Sequence, residues 1–206
     1  MKATLMTTRI RWWAALAALV LATATAFALT RPGAHSSASA ASADAQLSVV
    51  GGSSTAPKVT DSTVQSEVAS AVDNGTRGGA TADVASARVA LETSTGIKVL
   101  AVPATGQTCA VVELPGSLGQ GAMHCVSNAE FNTSGAWQMV GAPPSVDVVG
   151  LVPDGVTSVK VTFVDGTSRT ATVTNNAFDI QSKVASASIS FTTPAGSYSG
   201  PAQSAG

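Results

Sequence analysis

Residues 146–180, VDVVGLVPDGVTSVKVTFVDGTSRTATVTNNAFDI, decide the fold class. Val146–Val152 is an apolar run that stops at Pro153-Asp154-Gly155. That triplet is a turn with a mechanism: Pro fixes φ, Asp bonds its own backbone, and Gly accepts positive φ. Val156–Phe163 then alternates, with Val159, Val161 and Phe163 on one face and Lys160 and Thr162 on the other. Asp165-Gly166 turns the chain again. A two-residue loop would set the apolar face opposite Ser168, Thr170 and Thr172. A three-residue loop, Val164-Asp165-Gly166, sets it on the face of Ala171 and Val173 instead. The second register keeps the apolar set together and places Gly166 at the left-handed position of a bulged hairpin. Asn175-Asn176 is a further turn before Ala177–Ile180.

The same pattern extends outward in both directions. Ile97–Val102 is stopped by Pro103, and Thr108–Leu114 is closed by Pro115-Gly116. Gly121–Val126, Ala136–Val140 and Ala187–Thr192 read as further strands, with a short helical turn near Ser127–Phe131. Seven or eight short strands with turns every 8–12 residues or so predict a mainly β, small α+β fold: an antiparallel sandwich or an open barrel. One or two helices precede it. Ser62-Thr63-Val64-Gln65 fits a capping box with Ser62 as N-cap, and Val64, Val68, Ala71 and Val72 follow at helical spacing. Gly75 suits the left-handed position past the helix end. Ala82–Leu91 is the second helical candidate, with Val84, Ala87, Ala90 and Leu91 on one face.

Charge divides the chain. Lys2, Arg9, Arg11 and Arg31 occupy the first 31 residues, which hold no acid. Of 11 basic and 12 acidic residues in all, seven basic and all the acidic ones fall in the remainder, a net of −5 there. No Lys/Arg cluster outside the N-terminus replaces phosphate counterions, so nucleic acid is excluded as a partner. The run Trp12–Leu29 is free of charge, with basic residues mostly before it. That arrangement predicts an inside N-terminus and an outside remainder. Residues 1–30 fit a cleaved signal peptide or a signal anchor that makes the membrane the partner of this segment. Residues 31–58 are Ala/Ser/Gly-rich and read as a linker, 59–193 as one domain, and 194–206 as a disordered tail.

Candidate chemistry is sparse. Cys109 and Cys125 are the two cysteines, 16 positions apart on two expected strands. Outside the cytoplasm a structural disulfide is the favoured reading, and a free pair or a redox or metal pair are the alternatives. Redox pairs usually place two residues between the thiols. His124 neighbours Cys125, but His35 in the linker is the sole other histidine, so no metal site is assigned. There is no GxSxG motif, and Gly116–Gly121 lacks the order of a dinucleotide loop. Glu113, Glu130, Asp147, Asp154, Asp165 and Asp179 are scattered, and Asp154 and Asp165 are explained by turns. Trp137 reads as core, with Met139 and Tyr198 as possible binding groups, and Arg77 and Arg88 as solvated charges. No catalytic, cofactor-binding or metal residue is assigned, and no cofactor.

The 146–180 stretch resembles an uncharacterised family of exported proteins from high-GC Gram-positive bacteria. Its marker is a Gly-Leu-Val-Pro-Asp-Gly-Val segment before an alternating strand, a Gly turn and an Asn, here Gly150–Val156, Gly166 and Asn176. Upstream, Val102-Pro103 and the spaced Cys109 and Cys125 extend the likeness over residues 85–180. The resemblance implies an extracytoplasmic location and supports the Cys pair; it brings no activity. The sequence therefore predicts a non-catalytic cell-envelope structural or binding module, membrane-tethered or secreted. The alternative is an extracytoplasmic enzyme with dispersed site residues.

Overall fold

The computed structural model describes residues 45, 47–76 and 79–201, with the side chains of 117–121 left aside. The expected leader, Trp12–Leu29, and the early linker lie outside the described residues. Among the described residues no helix is long and apolar enough to cross a membrane.

The chain is mainly β, with three antiparallel sheets. A short 3-10 helix, Ser48–Val50, precedes helix α1, Ser62–Gly75. Four strands then form a meander, sheet I: β1 Arg88–Glu92, β2 Lys98–Ala104, β3 Gln107–Leu114 and β4 Ser117–Ser127. Helix α2, Asn128–Ser134, is capped by the Ser127 hydroxyl, which accepts from Glu130 N. Seven strands follow: β5 Ala136–Ala142, β6 Ser145–Leu151, β7 Ser158–Phe163, β8 Ser168–Thr172, β9 Ala177–Ser182, β10 Ser186–Thr193 and β11 Gly196–Pro201. They sort into sheet II, order β5-β6-β9, and sheet III, order β11-β10-β7-β8. The chain crosses between sheets so that β6 pairs with β9 and β7 with β10.

Alternation of side chains shows how the layers stack. Val148 of β6 and Val152, just past its end, enter a cluster with Val159, Val161, Phe163, Ile189 and Phe191 of sheet III. Val149 and Leu151 point the other way, into a cluster with Val99, Ala101, Ala110 and Val112 of sheet I. The opposite face of sheet I places Leu100, Val102, Cys109 and Val111 against Val68 and Val72 of α1. The order of layers is therefore α1, sheet I, sheet II, sheet III, with an apolar cluster between each pair. Strands buried on both faces lose period-two alternation, and residues 146–151 are buried without a break. Sheet III has one wet face, and β7 alternates accordingly. The sheets do not close into a barrel, so the stacked reading holds.

The hairpin register follows the three-residue loop. Val159 pairs with Ala171 and Val161 with Arg169, and Gly166 sits at φ +82°. Several boundaries differ from the sequence reading. Asp61 rather than Ser62 caps α1, accepting from Thr63 N and Val64 N, and the Gln65 amide goes to Val59 O. Gly75 is the last helical residue, and Thr76 closes the helix with extended backbone. The second expected helix is absent: Arg88–Glu92 is strand β1, because β2 and residues 57–59 bond it from both sides. Residues 47–58 are packed rather than linker-like, with Leu47, Val49 and Ala56 buried in the core between sheets I and II. The expected tail contains β11, held by its full ladder to β10 and by Tyr198 against Phe191 at 5.1 Å.

Gly150 is fixed by closeness. A Cβ there would lie 2.3 Å from Trp137 Cβ and 2.6 Å from Ala136 O, where β5 crosses β6. Gly166 has open space and only its φ to satisfy. Urea denaturation should therefore separate the two: Gly150→Ala should cost about 3 kcal/mol through overpacking, and Gly166→Ala about 1 kcal/mol through backbone strain. Equal losses would contradict the packing account.

Candidate functional site

The 153–155 turn does more than reverse the chain. The Asp154 carboxylate accepts from Ser48 N at 2.9 Å and from Asn176 Nδ2 at 2.8 Å, instead of bonding its own turn. Asn176, at φ +62°, completes the knot. Its Nδ2 also donates to Val152 O at 3.1 Å, and its Oδ1 accepts from Ser48 Oγ and Val49 N, both at 3.1 Å. Burial alone would raise the Asp154 carboxyl, but the bonds from Ser48 and Asn176 outweigh it and hold the group below its ordinary range. Two motif residues thus tie the 3-10 helix to the β6–β7 and β8–β9 connections. Asp165 behaves as its turn predicts, accepting from Thr167 N and Oγ1, and Gly155 lies against Pro194 at φ +83°.

Cys109 and Cys125 form a disulfide. They are direct cross-strand partners on β3 and β4, and Cys109 is fully buried in the cluster under α1. His124, beside it, donates from Nδ1 to Trp137 O at 2.8 Å. The neighbouring Gln138 Nε2 donates to Ala122 O at 2.9 Å, so these two side chains close the seam between β4 and β5. Trp137 is core, at 1% exposure. Arg88 is buried rather than solvated: its guanidinium caps Ser86 O and Ala87 O at the start of β1. Arg77 lies outside the described residues.

The chemically unusual place is sheet II at β6 and β9. Val149 pairs with Asp179 and Asp147 with Gln181, which puts both carboxylates on the face turned to sheet I, diagonal to one another. Asp147 is 8% exposed. Asp147 Oδ1 and Asp179 Oδ1 are both buried without a hydrogen-bond partner. Burial first, and then the Asp147 charge, push Asp179 up to about 6. Burial also raises Asp147, opposed by a hydrogen bond from Gln181. Asp179 lines an open groove of about 440 Å³ with Leu91, Arg169, Thr170, Thr172 and Gln181. A second groove of about 270 Å³ lies between α1 and β3–β4, with Glu67, Glu113 and Met123 in its wall.

This arrangement can share a proton or attract a cationic group. The described residues assemble no set of three His, Cys, Asp or Glu side chains fit to hold a metal. His124 is committed to the sheet seam through its bond to Trp137 O. Asp147 and Asp179 were readable in sequence only as acids inside apolar strands; their meeting depends on the β6–β9 register. The chain matches no protein-family model, no curated protein and no solved structure.

Asn176→Ala should leave Asp154, Ser48 and Val152 short of partners and place Ala at positive φ, a loss of about 3 kcal/mol by urea denaturation. A loss below about 1 kcal/mol would contradict the knot. Asp179 gives a pH signature of opposite sense to an ordinary paired acid. Its folded pKa lies above the unfolded value near 4, so its contribution is fully present below that value and is lost as pH rises through about 6. Asp179→Asn should raise the melting temperature near pH 7.5 and leave it almost unchanged near pH 4.

Proposed function

We propose that the chain is a non-catalytic module that works outside the cytoplasmic membrane, secreted or tethered there, and acts by binding. The observation that carries this reading is the disulfide set into the core beneath α1. A cross-link built into packing belongs to an oxidising compartment. The basic-then-apolar N-terminal sequence supports the same location. Filled interfaces on both sides of sheets I and II leave open grooves and edges, rather than a deep cleft, for contact with other molecules. The likeness of Gly150–Val156, Gly166 and Asn176 to exported proteins of high-GC Gram-positive bacteria agrees with it.

The acid pair favours the second reading, an extracytoplasmic enzyme using Asp179 as proton donor. Among the described residues the groove is lined by Thr, Arg and Gln side chains beside Asp179, with no His or Cys, so this reading ranks second.

Fractionation of the source cells, with external protease and a thiol-alkylating reagent, tests the proposal. The domain should be cut from outside and resist alkylation until reduced. A cytosolic chain with both thiols freely alkylated would overturn it. Cys109→Ser with Cys125→Ser should cost about 3 kcal/mol in the folded protein, as expected for closing a loop of this size.

A further inference from the structure

Every open sheet edge presents unpaired N–H and C=O groups, and proteins generally cover such edges. Here three are covered or closed by a seam, and β11 is blunted. Residues 57–59 pair with the outer edge of β1: Val89 N donates to Pro57 O at 2.8 Å and Val59 N to Ala87 O at 3.2 Å. His124 and Gln138 close the β4–β5 seam. β11 is rich in Gly and Ser and ends in Pro201, which has no N–H to offer.

β8 and β9 are different. The Val152 N to Asn176 O bond sets the phase of β9, so residues 178 and 180 bond β6 while 177, 179 and 181 turn their backbone groups outward. Ala177 bonds Thr174 in both directions, and Gln181 O accepts from Arg169 at 2.6 Å. Asp179 N–H and C=O and Gln181 N–H are left facing the 440 Å³ groove. On β8, the bonds Phe163 N to Thr167 O and Val173 N to Thr157 O turn Thr170 and Thr172 outward in the same way. Neither the β6–β9 ladder nor the β7–β8 ladder uses these backbone groups. Two free strand edges therefore wall one slot, ended by the Thr174–Ala177 bridge and by the Arg169–Gln181 bond. Five residues of β9 span about 15 Å, the length of a short added strand.

We propose that this slot binds an extended polypeptide segment of a partner protein by strand addition, with a Lys or Arg of that segment meeting Asp179 in the groove wall, and Asp147 adding negative charge behind it. This rests on the reading of the chain as a binding module. Main-chain bonds supply affinity in such complexes, and alternate side chains supply specificity. The acid pair favours a basic side chain, because its two buried oxygens have no donor of their own. A second copy fits less well: the cation on the β8 and β9 edges is Arg169, already bonded across the slot.

A phage-displayed random heptapeptide library panned on the intact chain tests the slot. Enriched peptides should carry Lys or Arg at one fixed position. Bound to the protein, a synthetic copy should shift the amide signals of Thr170, Thr172, Asp179 and Gln181 and slow their exchange. Methylating its central backbone nitrogens should abolish binding. Asp179→Asn with Asp147→Asn, which removes charge without removing the edges, should weaken it about tenfold. No enrichment, binding indifferent to backbone methylation, or shifts confined to other strands would overturn the proposal. So would self-association through β8 and β9 measured by sedimentation. Failure here with an externally exposed, disulfide-bonded chain would leave the wider reading standing, and a cytosolic chain that still binds such peptides would sink the wider reading alone.

Discussion

Sheet II is buried on both faces, and the rest of the described structure depends on that constraint. β6 has no wet side: Val148, with Val152 just past the strand end, is needed by sheet III, and Val149 and Leu151 by sheet I. A small sheet needs an apolar face to pack for independent stability. Stacked between two larger sheets, it supplies half of two separate cores. Gly150 marks the tightest part of that arrangement, where β5 backbone lies too close for any side chain.

Polar groups in such a stack must be placed rather than scattered, since a buried polar atom without a partner is costly. Most here are employed in joining layers and loops. His124 and Gln138 bridge strands of different sheets, and Asp154 and Asn176 gather three separated segments into one knot. The motif that marks the sequence is thus chiefly architectural. Asp147 and Asp179 depart from this economy: each keeps an oxygen without a donor, in the layer that can least accommodate it. Local rules broken without an internal compensation are a common feature of functional sites. Asp179 lies on the outer strand of sheet II and lines the open groove, with Asp147 one strand behind it.

How much of this was legible in sequence varied with the physics of each element. The β7–β8 register was readable because one face is wet, so a slip by one residue would expose Val159, Val161 and Phe163. Cys109 and Cys125 were readable as a pair because each lay on a clear strand. β6 was readable as a strand, but its run of Val and Leu, interrupted only by Asp147 and Gly150, does not say locally which sheet each face meets. β1 was misread because Val84, Ala87, Ala90 and Leu91 match helical spacing, whereas pairing with β2 and residues 57–59 decides the outcome. β11 carries weak strand residues and is held by its neighbour β10. Leu47 and Val49 are two apolar residues in a small-residue stretch, and their anchorage depends on Asp154 and Asn176, more than 100 positions away. The acid pair was hidden for the same reason: nothing local to Asp147 points to Asp179.

If the central sheet binds the layers into one body, they should come apart together. Native-state hydrogen exchange, followed amide by amide in rising denaturant, measures this directly. The account predicts that amides of Val148 and Val149 in β6 exchange only through global unfolding, and that core amides of β3 and β10 converge on the same opening free energy. Separate plateaus for sheet I and sheet III, with β6 exchanging at the lower of the two, would contradict it.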